Sequence, residues 1–579
     1  MRLYSVAAIL CLSAPLSFAQ LTTEQKLADF QQTAGVFVKG YGPLDWKKKL
    51  FNFDLLDTAP WAAKVRATTN DLEFFETMIA YLNSLTDAHS GYYMPSTFVA
   101  RLNFSVDIYD GMLLVDFINR TRLPADEYPF AVGYELVSID GQDAAKLLDF
   151  YTQYNSAANP RSTRRNAAAL ITTRPQQIIP SAPNVPEVST VVFRRFDGNT
   201  ETYRIRWNRS GLAWDGKGKL PVPRASIPGH SPTSSQAAGD PETDPGMPAP
   251  ESPSWMAPLE RLWNCRLPEP RTVLNFGSII PVFQGGLPGT FVQRLGRLPT
   301  DFFFTGTYHS GGQRIGFIRI PSYAPADPNA ALLQFASEIA FMQENTDGLV
   351  IDETRNPGGS VAYMHALLSY LHRETFRAMA FEVRATSSWI VSISSAYESA
   401  KAQGAPNEIL DLFLKIQDAL IAANRSGRGL TTPIPLDDIT LEREPRRDRN
   451  GNLLSYTKPL IVLIDEFSAS GGDAFAAVIQ DNGRGPLFGY RTMGAGGNVT
   501  EWDAGSYSEG GATLTESLMS RASERAGEAG YPSSRYIENV GVRPDIEYDY
   551  MTRENLFRSG RAFVDAFTGA IVEQIRKNQ

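Results

Sequence analysis

Two serines and two glycines crowd the end of an apolar run in "KPLIVLIDEFSASGGDAF". Leu460 to Ile464 are uninterruptedly apolar, as in a parallel strand covered on both faces. After Ser468, Ala469, Ser470, Gly471 and Gly472, "DAFAAVIQ" takes up helical spacing. A hydroxyl here sits at the carboxyl end of a strand and the start of a helix, where open α/β folds place their chemistry. A serine hydroxyl needs a base to take its proton and donors to hold the oxyanion that follows. Gly471 leaves its N–H open at a helix N-terminus, where the dipole also favours negative charge. A second glycine turn, "DETRNPGGS", follows another apolar strand, so Gly358 or Gly359 could supply a second donor if the strands are neighbours. By itself the stretch also fits a serine-capped, glycine-assisted turn with no chemistry.

The base has few candidates among five histidines. His230 lies in a Pro- and Ser-rich stretch, and His309 precedes the first strand expected of the last domain. His365 and His372 are two turns apart on one helical segment, a spacing that surface or satisfied histidines explain without a metal. His89 remains, in the polar turn "LTDAHSGYY", where a histidine taken alone is more often structural. A lysine base would have to come from elsewhere, because no lysine lies between Ser470 and Lys577.

These groups need several domains to position them, since 579 residues exceed a single core. Residues 1–19, "MRLYSVAAILCLSAPLSFA", have one Arg, an apolar centre and a small-x-small ending, which predicts a cleaved export signal and a secreted or periplasmic protein. No later run is long and apolar enough to span a bilayer. Without the signal, Cys265 is the only cysteine, so internal disulfides and multi-cysteine metal sites are excluded. The net charge of −8 and dispersed basic residues argue against nucleic-acid binding. Leu27, Phe30, Ala34 and Leu72, Phe75, Ile79, Leu82 stand at helical spacing and predict an N-terminal helical domain over 20–100. Residues 101–209 turn to short strands, with "VGYELVSIDGQDAAKLLDFY" reading as strand, Asp-Gly turn and helix; the segment resembles a PDZ domain. Residues 210–300 are expected to be a Pro/Ser/Gly-rich linker and connecting segment, and a cut between Pro232 and Pro258 to leave two associated, active pieces. From 301 to 579 strands and helices alternate as in an α/β domain.

In that last domain "GFIRIPSY", "DGLVIDETRNPGGS", "PLIVLIDEFSASGGDAF", "QDNGRGPLFGYRTMGAGGNV" and "IENVGVRPDIEY" follow one another in the order found in the C-terminal-processing (tail-specific) serine peptidases. The chain resembles that family, which implies a crotonase-like α/β spiral with the PDZ-like domain inserted upstream. The resemblance puts the nucleophile at Ser470, with Ser468 as its support. Many members draw a lysine base from a Gly-Lys-Gly strand; here "TMGAGG" places Ala495 at that position, so a Ser-Lys dyad is ruled out. The sequence is closer to the branch of tricorn and chlamydial protease-like activity factor, whose Ser-His-Glu triad has its histidine in an Asp-x-His-like turn and its glutamate in an Ile-Glu-Asn-x-Gly motif. "TDAHSGY" and "YIENVGV" then give His89 and Glu538. Such a triad is assembled from three distant segments, with a carboxylate holding the tautomer of the base.

The expectation is an exported serine endopeptidase acting through an acyl-enzyme, with Ser470, His89 and Glu538 catalytic. Gly471 and one of Gly358 and Gly359 would form the oxyanion hole, and Thr492, Met493, Gly494, Ala495 and Gly496 would line the cleft where substrate adds as a strand. No metal or cofactor is implied. Protein or peptide substrates are the expected partners, and a homodimer is left open. The alternative is a non-catalytic peptide-binding protein using the PDZ-like groove beside a degenerate protease domain.

Overall fold

The computed structural model describes residues 20–214, 252–268, 276–528 and 530–579. The expected export signal and most of the Pro-, Ser- and Gly-rich stretch, including the expected cut region up to residue 251, lie outside the described residues.

The last domain is built on a seven-stranded sheet in the order Val292–Leu295, Phe304–Ser310, Gln313–Arg319, Gly348–Asp352, Leu460–Ile464, Leu487–Gly489 and Ile546–Glu547. From Gln313–Arg319 onward all neighbours are parallel. Residues alternate between the two faces, as the pleat requires. Leu349, Ile351, Val462 and Ile464 join the core under the helix Val361–Ser369, whereas Val350, Ile461 and Leu463 meet the C-terminal helix Arg561–Lys577. Apolar cover on both faces is why these strands read as continuous hydrophobic runs. The α/β expectation holds.

The connecting segment expected over 210–300 is partly built into this domain, which therefore starts before residue 301. Ala257–Trp263 is helical and buries Leu259 and Leu262 in the main core. Asn264–Arg266 then pairs antiparallel with Gly358–Ser360, burying Cys265. The apolar residues of "PLERLWNCRL" recur often enough to fill one face despite the polar residues between them. His309, expected ahead of the first strand, lies within the second strand of the sheet and is exposed.

Upstream, the helices Thr23–Gly40, Leu44–Phe51, Ala59–Ala67 and Asp71–Asn83 share a core with the next domain. That domain is a sheet ordered Phe104–Tyr109, Met112–Ile118, Glu135–Ile139, Val188–Arg194, Thr200–Arg206. Its Asp140-Gly141 turn has φ of 51° and 76°, the paired positive values a tight two-residue hairpin requires. The helix Ala144–Tyr151 follows, capped by Asp143, and Pro160–Thr172 packs along Phe104–Tyr109. The N-terminal unit is tied into the last domain by the strand Gly91–Tyr93, which pairs antiparallel with Gly511–Thr515.

Candidate active site

Ser470 stands at the N-cap of the helix Gly471–Asp481, six residues beyond the end of the central strand Leu460–Ile464. Its φ of 61° is in the left-handed region, a conformation that costs a side-chain-bearing residue about 1–3 kcal/mol. The surroundings impose it. Asp473 Oδ2 accepts the Ser470 N–H at 2.7 Å, and the Ala469 N–H donates to the Asn356 carbonyl at 2.9 Å. Ser468 Oγ donates to the Glu353 carbonyl at 2.9 Å and accepts the Asp465 N–H at 3.1 Å, the bracing expected of the first serine. Gly358 allows the two glycine turns to meet, because a Cβ there would lie 2.6 Å from the Gly471 nitrogen and 2.1 Å from the Cys265 carbonyl oxygen.

His89 arrives on the turn between the helix Asp71–Asn83 and the strand Gly91–Tyr93. Asp87 organises that turn: its Oδ1 accepts the N–H of His89 at 2.8 Å and of Ser90 at 3.2 Å. Its Oδ2 accepts the Tyr41 hydroxyl at 2.7 Å and Thr515 Oγ1 at 3.0 Å. Burial works to raise Asp87, but Lys47, His89 and these donors outweigh it and leave the carboxyl below its ordinary range. The imidazole Nε2 comes within 2.7 Å of Ser470 Oγ across 381 residues of sequence.

Glu538 is reached from the opposite side. Its Oε1 lies 2.5 Å from Lys47 Nζ, its Oε2 accepts the Gly496 N–H at 2.8 Å, and its carbonyl accepts Trp46 Nε1 at 2.9 Å. Burial pushes its carboxyl up to about 7, against the pull of Lys47. The Lys47 ammonium also donates to the Thr86 carbonyl at 3.0 Å, joining the Glu538 loop to the His89 turn. Ser470, His89 and Glu538 are each 0% exposed. Leu267 and the half-buried Phe276 pack in the small apolar cluster that holds Ala88 and Ala469, the neighbours of His89 and Ser470.

Two expectations need correction. Thr492, Met493, Gly494, Ala495 and Gly496 do not offer a free strand edge: all are buried, and every N–H is committed internally. Thr492 donates to the Val542 carbonyl, Met493 to that of Ser468, Gly494 and Ala495 to the two oxygens of Asp473, and Gly496 to Glu538. The segment is a girder between the Ser470 turn and Glu538, since buried amides must be paired where no water reaches. The Gly358 N–H is likewise taken, by Asn356 Oδ1 at 2.8 Å, and Gly359 is paired with Cys265 in the antiparallel ladder. The Gly359 nitrogen lies beside Gly471, 3.1 Å from where a Gly471 Cβ would be.

Other residues were not singled out by the sequence reading. Asp473 collects four donors, the N–H groups of Ser470, Gly494 and Ala495 and the hydroxyl of Thr492, yet burial still pushes it up to about 6. Its signal was the third position of a helix whose N-cap is serine, which is where a capping acceptor belongs. Glu466 meets the helix Pro160–Thr172 through Arg161 at 2.5 Å and Arg165 at 3.0 Å, and Arg165 also holds Asp107 at 2.5 Å. Burial opposes the charge on Glu466, and Arg165 and Arg161 overrule it, holding the carboxyl well below its usual range. His365 is occupied elsewhere, with Nδ1 2.9 Å from Asp437 and Nε2 accepting the Met379 N–H. Among the described residues no group of three or more His, Cys, Asp or Glu could hold a metal ion, and no helix is long and apolar enough to cross a membrane.

Residues 314–548 match the family model of peptidase family S41, and residues 99–215 match a PDZ domain. A protein of Chlamydia trachomatis serovar D is 26% identical over 600 residues, covering 98% of this chain and 95% of its own. The chloroplastic carboxyl-terminal-processing peptidase 3 of Arabidopsis thaliana is 30% identical over 145 residues, 24% of this chain and 23% of the plant protein. The crystal structure of mature CPAF superposes with a TM-score of 0.72 at 22% identity, covering 96% of this chain and 98% of that one, so the two share a fold.

Proposed function

We propose that this serine protease, whose residues 314–548 match peptidase family S41, cleaves peptide bonds through an acyl-enzyme, with Ser470, His89 and Glu538 as its triad. The observation that carries this is the 2.7 Å approach of His89 Nε2 to Ser470 Oγ in a site shut off from water. That distance lets the imidazole take the hydroxyl proton as Oγ attacks the scissile carbonyl. The carbonyl oxygen becomes an oxyanion, for which the N–H of Gly471 at the helix N-terminus is a donor. The imidazolium then gives its proton to the leaving amine, and water repeats the sequence to release the acyl group. Glu538 stabilises the imidazolium when ionised. The proposal includes export, from the expected signal over 1–19, and peptide or protein substrates; a homodimer stays compatible with it.

A rhodamine fluorophosphonate separates this reading from a degenerate peptide-binding protein. The full chain is expected to be labelled, and Ser470→Ala to escape labelling and lose hydrolysis of fluorescein-casein. Equal labelling of the two would sink the assignment of the nucleophile.

A further inference from the structure

Lys47 is one of three consecutive lysines in "DWKKKLF", the helix Leu44–Phe51. Lys48 and Lys49 are exposed, whereas Lys47 is 1% exposed. An ammonium with no access to water is costly unless all its protons find acceptors. Lys47 finds three: Glu538 Oε1 at 2.5 Å, Asn539 Oδ1 at 2.6 Å and the Thr86 carbonyl at 3.0 Å. Neighbouring Trp46 fixes the backbone of the same glutamate through its carbonyl and meets Tyr536 edge-on at 5.5 Å. One short helix thus clamps both the main chain and the carboxylate of Glu538, and ties them to the turn that carries His89.

We propose that Lys47 is a positioning residue for the hydrolysis, its ammonium keeping the Glu538 carboxylate charged and fixed against the His89 turn. This rests on the reading of Glu538 as the carboxylate that steadies His89. The charge balance supports it. The charged and titratable groups that act on Glu538 are Lys47, the Asp87 carboxylate and the Tyr41 hydroxyl, which burial keeps protonated; His89, when protonated, acts on Asp87. One cation therefore serves two buried carboxylates. Without it the pair would take up a proton, and Glu538, already pushed up to about 7, is the one to accept it. A protonated Glu538 offers no charge to an imidazolium.

The test follows the rate of fluorophosphonate labelling and kcat/KM on fluorescein-casein against pH, in the full chain, for wild type, Lys47→Met, Lys47→Arg, Glu538→Gln and the double variant Lys47→Met/Glu538→Gln. Lys47→Met is expected to move the rising limb up by about one pH unit or more, lowering the rate about tenfold at pH 7 and restoring it within a few-fold on the alkaline side. Lys47→Arg keeps a cation and should return most of the limb. The double variant should match Glu538→Gln. A Lys47→Met limb superimposed on that of wild type, with Glu538→Gln impaired, would overturn the role of Lys47 alone. Wild-type activity in Glu538→Gln would overturn the reading of Glu538 itself. If Lys47→Met does not fold, the double variant decides, because it removes both charges: a further tenfold loss below Glu538→Gln contradicts a role exercised through Glu538.

Discussion

The candidate active site is held between two charged joints that solve the same problem differently. On one side, the helix Pro160–Thr172 inserts Arg161 and Arg165 against Glu466, just before the nucleophile turn, and Arg165 reaches on to Asp107. Arg161 also pairs with Asp549 at 2.7 Å, and the Ser162 hydroxyl donates to the Glu466 carbonyl at 2.7 Å. On the other side a single ammonium, Lys47, pairs with Glu538 and also attracts the Asp87 carboxylate. The first joint holds its glutamate ionised far below neutral pH, and the second leaves its glutamate near 7. A fully compensated carboxylate is a fixed strut, whereas an undercompensated one exchanges protons in the range where a histidine base works.

The comparison breaks first at the chemistry. Ser470→Ala and His89→Ala are each expected to lower kcat/KM by several orders of magnitude, with the double variant hardly worse, because the two act as a unit. Glu538→Gln should lose less, since it removes the charge beside the base and leaves the base in place. Near-normal turnover in His89→Ala would show that the base has been misassigned.

Next in size is Asp473→Asn. The carboxylate accepts two donors on each oxygen, and an amide would turn an NH2 toward two of them. Each buried donor left unpaired costs about 1–3 kcal/mol, so the strained Ser470 turn should relax and kcat fall by roughly 10–100-fold. KM should change little. A fall confined to KM would mean that Asp473 shapes binding rather than the nucleophile.

Arg165→Met tests the strut. It strips the cation shared by Asp107 and Glu466, and breaking such a buried pair typically costs about 3–5 kcal/mol. The urea midpoint should fall accordingly, while the pH limb of the folded enzyme stays where it is. A shifted limb would show that both joints tune the base, and the distinction between them would fail.

The outline of this arrangement was legible in local pattern. The apolar runs at Gly348–Asp352 and Leu460–Ile464, the Asp-Gly turn at 140–141 and the glycines around Ser470 all declare themselves within a few residues. What was hidden depends on which distant groups meet. Nothing in "DWKKKLF" shows that Lys47 turns inward while Lys48 and Lys49 face solvent, because the choice is made by Glu538, 491 residues away. The glycines of "TMGAGG" suggested an open cleft, but their role is close approach: a Cβ on Gly496 would stand 2.3 Å from the Glu538 nitrogen. Residues 252–268 carried their apolar side chains in a polar setting, which masked a helix and a strand of the core.

The smallest effect is also the one whose sign separates the joints. Glu538 has a folded value of about 7, above the roughly 4.3 expected of an unfolded glutamate. Between those values the folded chain binds a proton that the unfolded chain releases. The stability this confers is complete below about pH 4 and lost as pH rises through 7. Glu466 behaves oppositely: its folded value lies below the unfolded one, so its contribution is present above about pH 4.3 and is lost as pH falls through the folded value. Wild type should therefore lose up to about 4 kcal/mol of advantage over Glu538→Gln between pH 4 and 8, at about 1.4 kcal/mol for each pH unit between the unfolded and folded values. Its advantage over Glu466→Gln should instead shrink as pH is lowered below about 4. Urea titrations at a series of pH values measure both differences. Slopes of the same sign would mean that Lys47 compensates Glu538 as completely as the two arginines compensate Glu466, and the contrast between strut and proton-exchanging group would be gone.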